Sequence, residues 1–106
     1  MSIIILPDAQ ADLLALQDYM LDQWSEADWI KAEDEIFSKL VQVDGGFLTG
    51  QTVSELATVG ILDYRNVYTS HHKLVYRRIG TDTYVYIVAG HRQEFPTLLM
   101  KRLLRA

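Results

Sequence analysis

Three short runs joined by links of about three residues constrain this chain more than any other feature. Tyr64 to Tyr68, Lys73 to Ile79 and Thr83 to Ala89 are dense in β-branched and aromatic side chains, which suit a pleated, half-buried surface. The links Thr69-Ser70-His71 and Gly80-Thr81-Asp82 are too short for a crossover, so the three runs are expected to form an antiparallel meander. Alternation puts Val85, Ile87, Ala89 and His91 on one side of the last strand, and Tyr84, Tyr86, Val88 and Arg92 on the other. In the middle strand Leu74, Tyr76 and Arg78 oppose Val75, Arg77 and Ile79. One face is expected under helices. The other is expected to offer tyrosine, arginine and aliphatic surface to a partner or substrate.

The residues before the meander supply that helical cover. Ser2 to Leu6 reads as a first strand stopped by Pro7. From Asp8 the period changes: Ala9, Leu13, Leu16, Met20 and Trp24 recur at steps of three or four, one buried stripe of a helix. Ser25 is an N-cap with Asp28 in the capping-box position, and Trp29, Ala32, Ile36, Leu40 and Val43 make a second stripe that ends at Gly45-Gly46. The short break at Ser25 folds the helices into an antiparallel hairpin. Leu14, Leu21, Ile30, Phe37 and Val41 form a surplus apolar strip, either core or a groove for a partner helix. Asp12, Asp18, Asp22, Glu26, Glu33, Asp34, Glu35 and Lys39 read as an ordinary solvated face.

Gly45 to Gly60 reads as a loop with one helical turn around Val53 to Ala57. Phe95 to Arg105, with Pro96 early and basic residues late, reads either as a short C-terminal helix or as a tail that orders only on a partner. The fold class that follows is α+β: an N-terminal strand, an antiparallel helical hairpin and a C-terminal antiparallel meander. At 106 residues the chain is one domain, 1–106, able to bury roughly 65% of the surface its unfolded form would expose.

Charge and composition narrow the chemistry. Ten basic against 14 acidic residues leave a net charge of -4, which argues against general affinity for phosphate backbones. From Arg65 onward, however, Arg65, Lys73, Arg77, Arg78, Arg92, Lys101, Arg102 and Arg105 face only Asp82 and Glu94, so the sheet half can present a local basic surface. The absence of cysteine removes disulfides, thiolate catalysis and cysteine-based zinc together. No apolar run is long enough to span a bilayer, and a cytoplasmic protein is expected. His71 and His72 are adjacent and in a strand would point to opposite faces, so neither a metal site nor a cofactor is expected. Arg65, His72, Tyr76, Arg78, His91, Arg92 and Glu94 remain as a set that could cleave RNA without metal: a base takes the 2′-hydroxyl proton, arginines stabilise the phosphorane, and an acid protonates the leaving oxygen. The same residues equally serve as structural caps or stacking partners.

With His72-Lys73-Leu74-Val75-Tyr76-Arg77 on the middle strand and Ile87-Val88-Ala89-Gly90-His91-Arg92-Gln93 closing the last, the layout resembles the ParE branch of the ParE/RelE toxin superfamily, the plasmid-stabilisation toxins. The aromatic-arginine ending typical of the middle strand is matched at Leu74 to Arg77, and the motif at the sheet end at Val88 to Gln93. The resemblance implies the toxin of a type II toxin-antitoxin pair, neutralised by a small ParD-like antitoxin and acting on a macromolecule such as DNA gyrase. Leu14, Leu21, Phe37, Tyr76, Arg78, Tyr84, Tyr86 and Arg92 are then the expected antitoxin or target contacts. The alternatives are a ribosome-dependent mRNA endonuclease of RelE type, using Arg65, His91 and Arg92, and a non-toxic relative serving as an interaction module. Gly50 to Gly60 lacks the lysines or arginines of the nuclease branch, which favours binding over cleavage. Membrane association and sequence-specific DNA binding by the chain alone are not expected.

Overall fold

The computed structural model describes residues 2–91 and 95–103. Its elements run β1 (Ile3–Ile5), α1 (Pro7–Gln23), α2 (Glu26–Asp44), β2 (Gln51–Thr52), α3 (Ser54–Ala57), β3 (Arg65–Tyr68), β4 (His72–Ile79), β5 (Asp82–Gly90) and α4 (Phe95–Arg102). The sheet order is β1-β5-β4-β3-β2, with β1 parallel to β5 and every other pair antiparallel. The meander, the hairpin, the single helical turn and the C-terminal helix are therefore all present. Only β2 was not legible, because two exposed residues, Gln51 and Thr52, carry no pattern. Among the described residues no helix is long and apolar enough to cross a membrane.

Local chemistry sets the element ends. The Ser25 hydroxyl accepts the Asp28 N–H at 3.2 Å and donates to the Asp28 carboxylate at 2.8 Å, closing the first turn of α2. At the other end the Gly46 N–H reaches the Val43 carbonyl at 3.1 Å and the Phe47 N–H reaches that of Gln42 at 2.9 Å, a Schellman motif. Gly46 takes the positive φ of 80° that this motif requires. Between Ile79 and Asp82 only Gly80 has positive φ, the pattern of a type II′ hairpin.

Two cores hold the sheet, one on each face. Ile36, Leu40 and Val43 of α2 and Ala9 of α1 pack on Val67, Leu74, Tyr76, Val85 and Val88. On the far face, Val53 and Leu56 with Phe95 and Leu99 cover Val75, Ile87 and Ala89. The expectation of one open face is thus corrected: α3 and α4 close it, because Val75, Ile87 and Ala89 are too apolar to leave wet. Burying each of these side chains contributes about 1.5–3 kcal/mol for the larger ones.

The simple alternation along β5 also fails. Val75 pairs with Ile87 while Tyr76 pairs with Val85, so Tyr86 is an extra residue, a bulge. It puts Val85 and Val88 together beneath the helices and turns Ile87 and Ala89 to the other face. The stripe of α2 is buried throughout, whereas on α1 Trp24 leaves its stripe: it is the C-cap, 49% exposed.

Two helix carboxylates expected in solvent, Glu35 and Asp12, instead tie layers together, and Asp44 at the end of α2 does the same. Glu35 accepts the Ser70 N–H and hydroxyl at 2.9 and 3.1 Å, and Asp12 accepts the Val88 N–H at 3.0 Å. Asp44 accepts the Thr83 hydroxyl at 3.0 Å.

Candidate functional site

Two arginines of the sheet half, Arg65 and Arg78, are spent on the chain's own backbone. Arg65 donates to the Gly50 carbonyl at 3.0 Å, beside the Tyr76 hydroxyl, which accepts the Gly50 N–H at 2.8 Å. Arg78 donates to the Val43 carbonyl at 3.2 Å, at the end of α2, and to the Thr81 carbonyl at 3.3 Å. Arg77 lies over the rings of Tyr64 and Tyr86, its guanidinium carbon 5.4 and 5.7 Å from their centroids. Lys73 sits 3.5 Å from the Phe95 ring centroid, and Arg102 pairs with Asp12. Among the described residues, Arg65, Lys73, Arg77, Arg78 and Arg102 of the basic set read from composition are thus engaged within the chain, while Lys101 is exposed.

Among the described residues, the candidates for nuclease chemistry, Arg65 and His91, do not converge. Arg65 and Arg78 line a small cleft of about 170 Å³ with Tyr76, Asp63 and Leu48. His91 lines a different cleft, its Nε2 3.2 Å from the Thr69 carbonyl oxygen and its ring stacked on Tyr68. Tyr68 lies at the opposite end of β3 from Arg65, roughly 10 Å away by strand rise. Arg92 and Glu94 lie outside the described residues.

Tyr76, expected as a partner contact, is 2% exposed beneath the hairpin and cannot present an outward surface. Its place follows from the helix-facing side of β4, which it shares with Leu74. Tyr84 and Tyr86 are half-buried, Tyr86 meeting Tyr64 edge-on at 5.0 Å between centroids. Burial raises the Tyr64 phenol above its ordinary value, with the Tyr86 phenol adding to the shift. Arg78 is exposed but anchored at both ends of its guanidinium.

Two features do face outward. The first is the surplus strip of the hairpin: Leu14 and Leu21 on α1, Ile30, Phe37 and Val41 on α2 are all exposed, Leu14 at 64% and Val41 at 61%. Intervals of seven, four and eleven residues return to one helix face, so each helix bears a continuous apolar line off its buried stripe. These are exposed apolar side chains at helical spacing, off the stripe that packs on the sheet.

The second is a cleft of about 550 Å³ between α1 and the sheet end. Leu16, Tyr19, Met20 and Trp24 form its helical wall, and His71, His72, Val88 and His91 the opposite one. Sequence reading sent His71 and His72 to opposite faces, yet both line this cleft, their ring centroids 6.2 Å apart. Strand alternation does not apply because His71 lies in the turn before β4. That turn is shaped by Thr69, whose hydroxyl accepts the His71 and His72 N–H groups at 3.2 and 2.9 Å. Trp24 meets His71 edge-on at 4.8 Å. His72 is 2% exposed, and its pKa falls to about 4, chiefly through burial and then through His71 and His91. Among the described residues no three His, Asp or Glu side chains are grouped to hold a metal ion.

Residues 3–95 match the family model described as the ParE toxin of the type II toxin-antitoxin system, parDE. The fold is shared with a solved chain of the chromosomal ParDE TA system from P. aeruginosa: TM-score 0.66 at 16% identity, over 85% of this chain and 95% of that one. No curated protein sequence matches the chain.

Proposed function

Because this chain belongs to the ParE toxin family of type II toxin-antitoxin systems, we propose that it acts in the cytoplasm by binding, disabling a macromolecular target such as DNA gyrase until a ParD-like antitoxin covers it. The observation that carries this reading is the separation of Arg65 from His91. A metal-independent nuclease needs cations and a proton-transfer group aimed at one phosphate. Here Arg65 is held by the Gly50 carbonyl in one cleft while His91 lies in another.

The apolar lines of the hairpin supply the complementary support. Leu14, Leu21 and Phe37 suit an amphipathic helix of the antitoxin, laid along the hairpin with its own apolar residues at helical spacing. Tyr84, only half-buried, is a further contact, whereas Tyr76 is withdrawn from that role by its burial.

The test is a paired assay of the purified protein. Titrated into a gyrase supercoiling reaction it is expected to block supercoiling, and added to a translation extract it is expected to leave ribosome-bound message uncut. Full supercoiling at saturating protein, with cleaved message, would overturn the proposal in favour of the nuclease reading.

A further inference from the structure

On the face of the sheet turned away from the hairpin, the cover ends early. Val53, Leu56, Phe95 and Leu99 lie over Val75, Ile87 and Ala89. At the Gly80 end, however, Ile79 is 49% exposed, and Leu62, just ahead of β3, is 58% exposed. Between the covered and open parts stands Arg77, on the same side of β4 as Val75 and Ile79 and paired across the strands with Tyr84. The rings of Tyr64 and Tyr86 hold its guanidinium in place. Among the described residues it makes no hydrogen bond and no ion pair: its Nε is buried without a partner, while its two terminal nitrogens, equally unbonded, are not sealed from solvent. Arg65, Arg78 and Arg102, by contrast, are each bonded to backbone carbonyls. A guanidinium fixed in direction and open at its fork is pre-organised for a carboxylate, because little freedom is lost when the pair forms. The chain's own acids nearby do not take it. Asp63 and Asp82, in the adjoining segments, form no ion pair among the described residues, and Glu55 on α3 accepts the Ser54 hydroxyl at 3.1 Å.

We propose that this patch is the seat of the protein's macromolecular target, which docks an acidic loop with one Asp or Glu carboxylate on the two terminal nitrogens of Arg77 and apolar neighbours against Leu62, Ile79 and Tyr84. Tyrosines and an arginine beside exposed aliphatic side chains have the composition of an interface centre. One unbonded arginine suits one carboxylate, whereas a nucleic-acid backbone calls for several cations together. The antitoxin is not the occupant. The hairpin lines that suit it lie on the other side of the sheet, among the exposed Asp18, Asp22, Glu26 and Asp34, which repel an acidic segment and direct it to Arg77 instead. That the partner is the target rests on the toxin reading above; the carboxylate chemistry does not.

The probes are two acetylated and amidated peptides, Leu-Glu-Leu and Leu-Gln-Leu, and inorganic phosphate, each titrated into the isotope-labelled full chain. The glutamate peptide is expected to shift the Arg77 Nε–H and the ring signals of Tyr64, Tyr84 and Tyr86, and to bind at least about tenfold more tightly than the other two, the value of a charge-assisted pair. Arg77→Gln is expected to bring the two peptides within about twofold. Ile79→Glu, at an exposed position, sets a like charge beside the site and is expected to weaken the glutamate peptide at least about fivefold. In cells without antitoxin, the Ile79→Glu chain is expected to permit growth that the unaltered chain arrests, while its antitoxin affinity by calorimetry stays within about twofold. Equal affinity of the peptides, preference for phosphate, shifts away from Arg77, or undiminished binding to Ile79→Glu overturns the site. Undiminished arrest by Ile79→Glu, or a fall in its antitoxin affinity, overturns the assignment to the target. An unaltered chain that arrests nothing overturns the toxin reading instead and with it the target assignment, and the peptides then decide the site. Should Arg77→Gln fail to fold, the peptides and Ile79→Glu decide it alone.

Discussion

Asp12 and Arg102 stand 90 residues apart and form an ion pair over the part of β5 that β1 leaves uncovered. β1 pairs with Thr83 to Val85 and then turns away into α1. Beyond it, Asp12 accepts the Val88 N–H at 3.0 Å and Arg102 donates to the Tyr86 carbonyl at 3.2 Å, so two side chains stand where a neighbouring strand would. The pair also joins α1, on one face of the sheet, to α4 on the other. Asp12→Ala strips a partner from both the Arg102 guanidinium and the Val88 amide. A loss of about 2–4 kcal/mol is expected by urea denaturation, against less than about 0.5 kcal/mol for the exposed control Asp18→Ala.

The Arg65, Tyr76 and Gly50 contact is expected to be structural. Tyr76→Phe removes the acceptor of the Gly50 N–H and should cost about 1–2 kcal/mol. Gly50→Ala should cost more, because its Cβ would press on the Asn66 carbonyl and lie 2.9 Å from the Tyr76 hydroxyl. Thermal denaturation of the two variants checks the order.

His72 makes stability depend on pH in a stated direction. Its pKa drops from 6.5 to about 4 on folding, so above pH 6.5 it is neutral folded and unfolded alike. Between about 6.5 and 4 the unfolded chain takes up the proton first, and stability falls as pH falls, by at most roughly 2–3 kcal/mol. Urea midpoints across that window should drop for the unaltered chain and change less for His72→Phe.

The α2 apolar line is expected to serve binding rather than folding. Phe37→Lys and Val41→Lys should leave the urea midpoint within about 1 kcal/mol of the parent, since both side chains are already exposed. Antitoxin affinity, measured by titration calorimetry, should fall at least about tenfold, the effect of losing a buried apolar anchor.

How much of this the sequence disclosed depends on where the physics is local. The stripe from Trp29 to Val43, the Ser25 cap and the glycine stop obey rules that act within a few residues, and all three are found where their spacing puts them. The bulge at Tyr86 obeys none, since it comes from the pairing of β4 with β5, and it reversed the facing of Val85 relative to Ile87. The cover over Val75 and Ile87 was foreshadowed by their apolarity, but which segment would supply it depended on tertiary packing by α3 and α4. For the same reason a list of arginines and tyrosines did not reveal which were already engaged. Arg65 and Arg78 are bonded to backbone carbonyls contributed by the Gly50 loop and the end of α2, partners no local pattern announces. Alternation puts His71 and His72 on opposite faces, yet the turn before β4 brings both to the cleft that His91 also lines.

Methyl NMR of the toxin, free and bound to its antitoxin, tests the partner surface most directly. The account predicts that the Leu14, Leu21, Ile30 and Val41 methyls shift and become shielded from a soluble paramagnetic probe, while those of Leu74, Val75 and Ile87, already buried, show no change in shielding. Hairpin methyls still open to the probe in the complex, with the altered signals gathered around Arg65 and Arg78 instead, would contradict it.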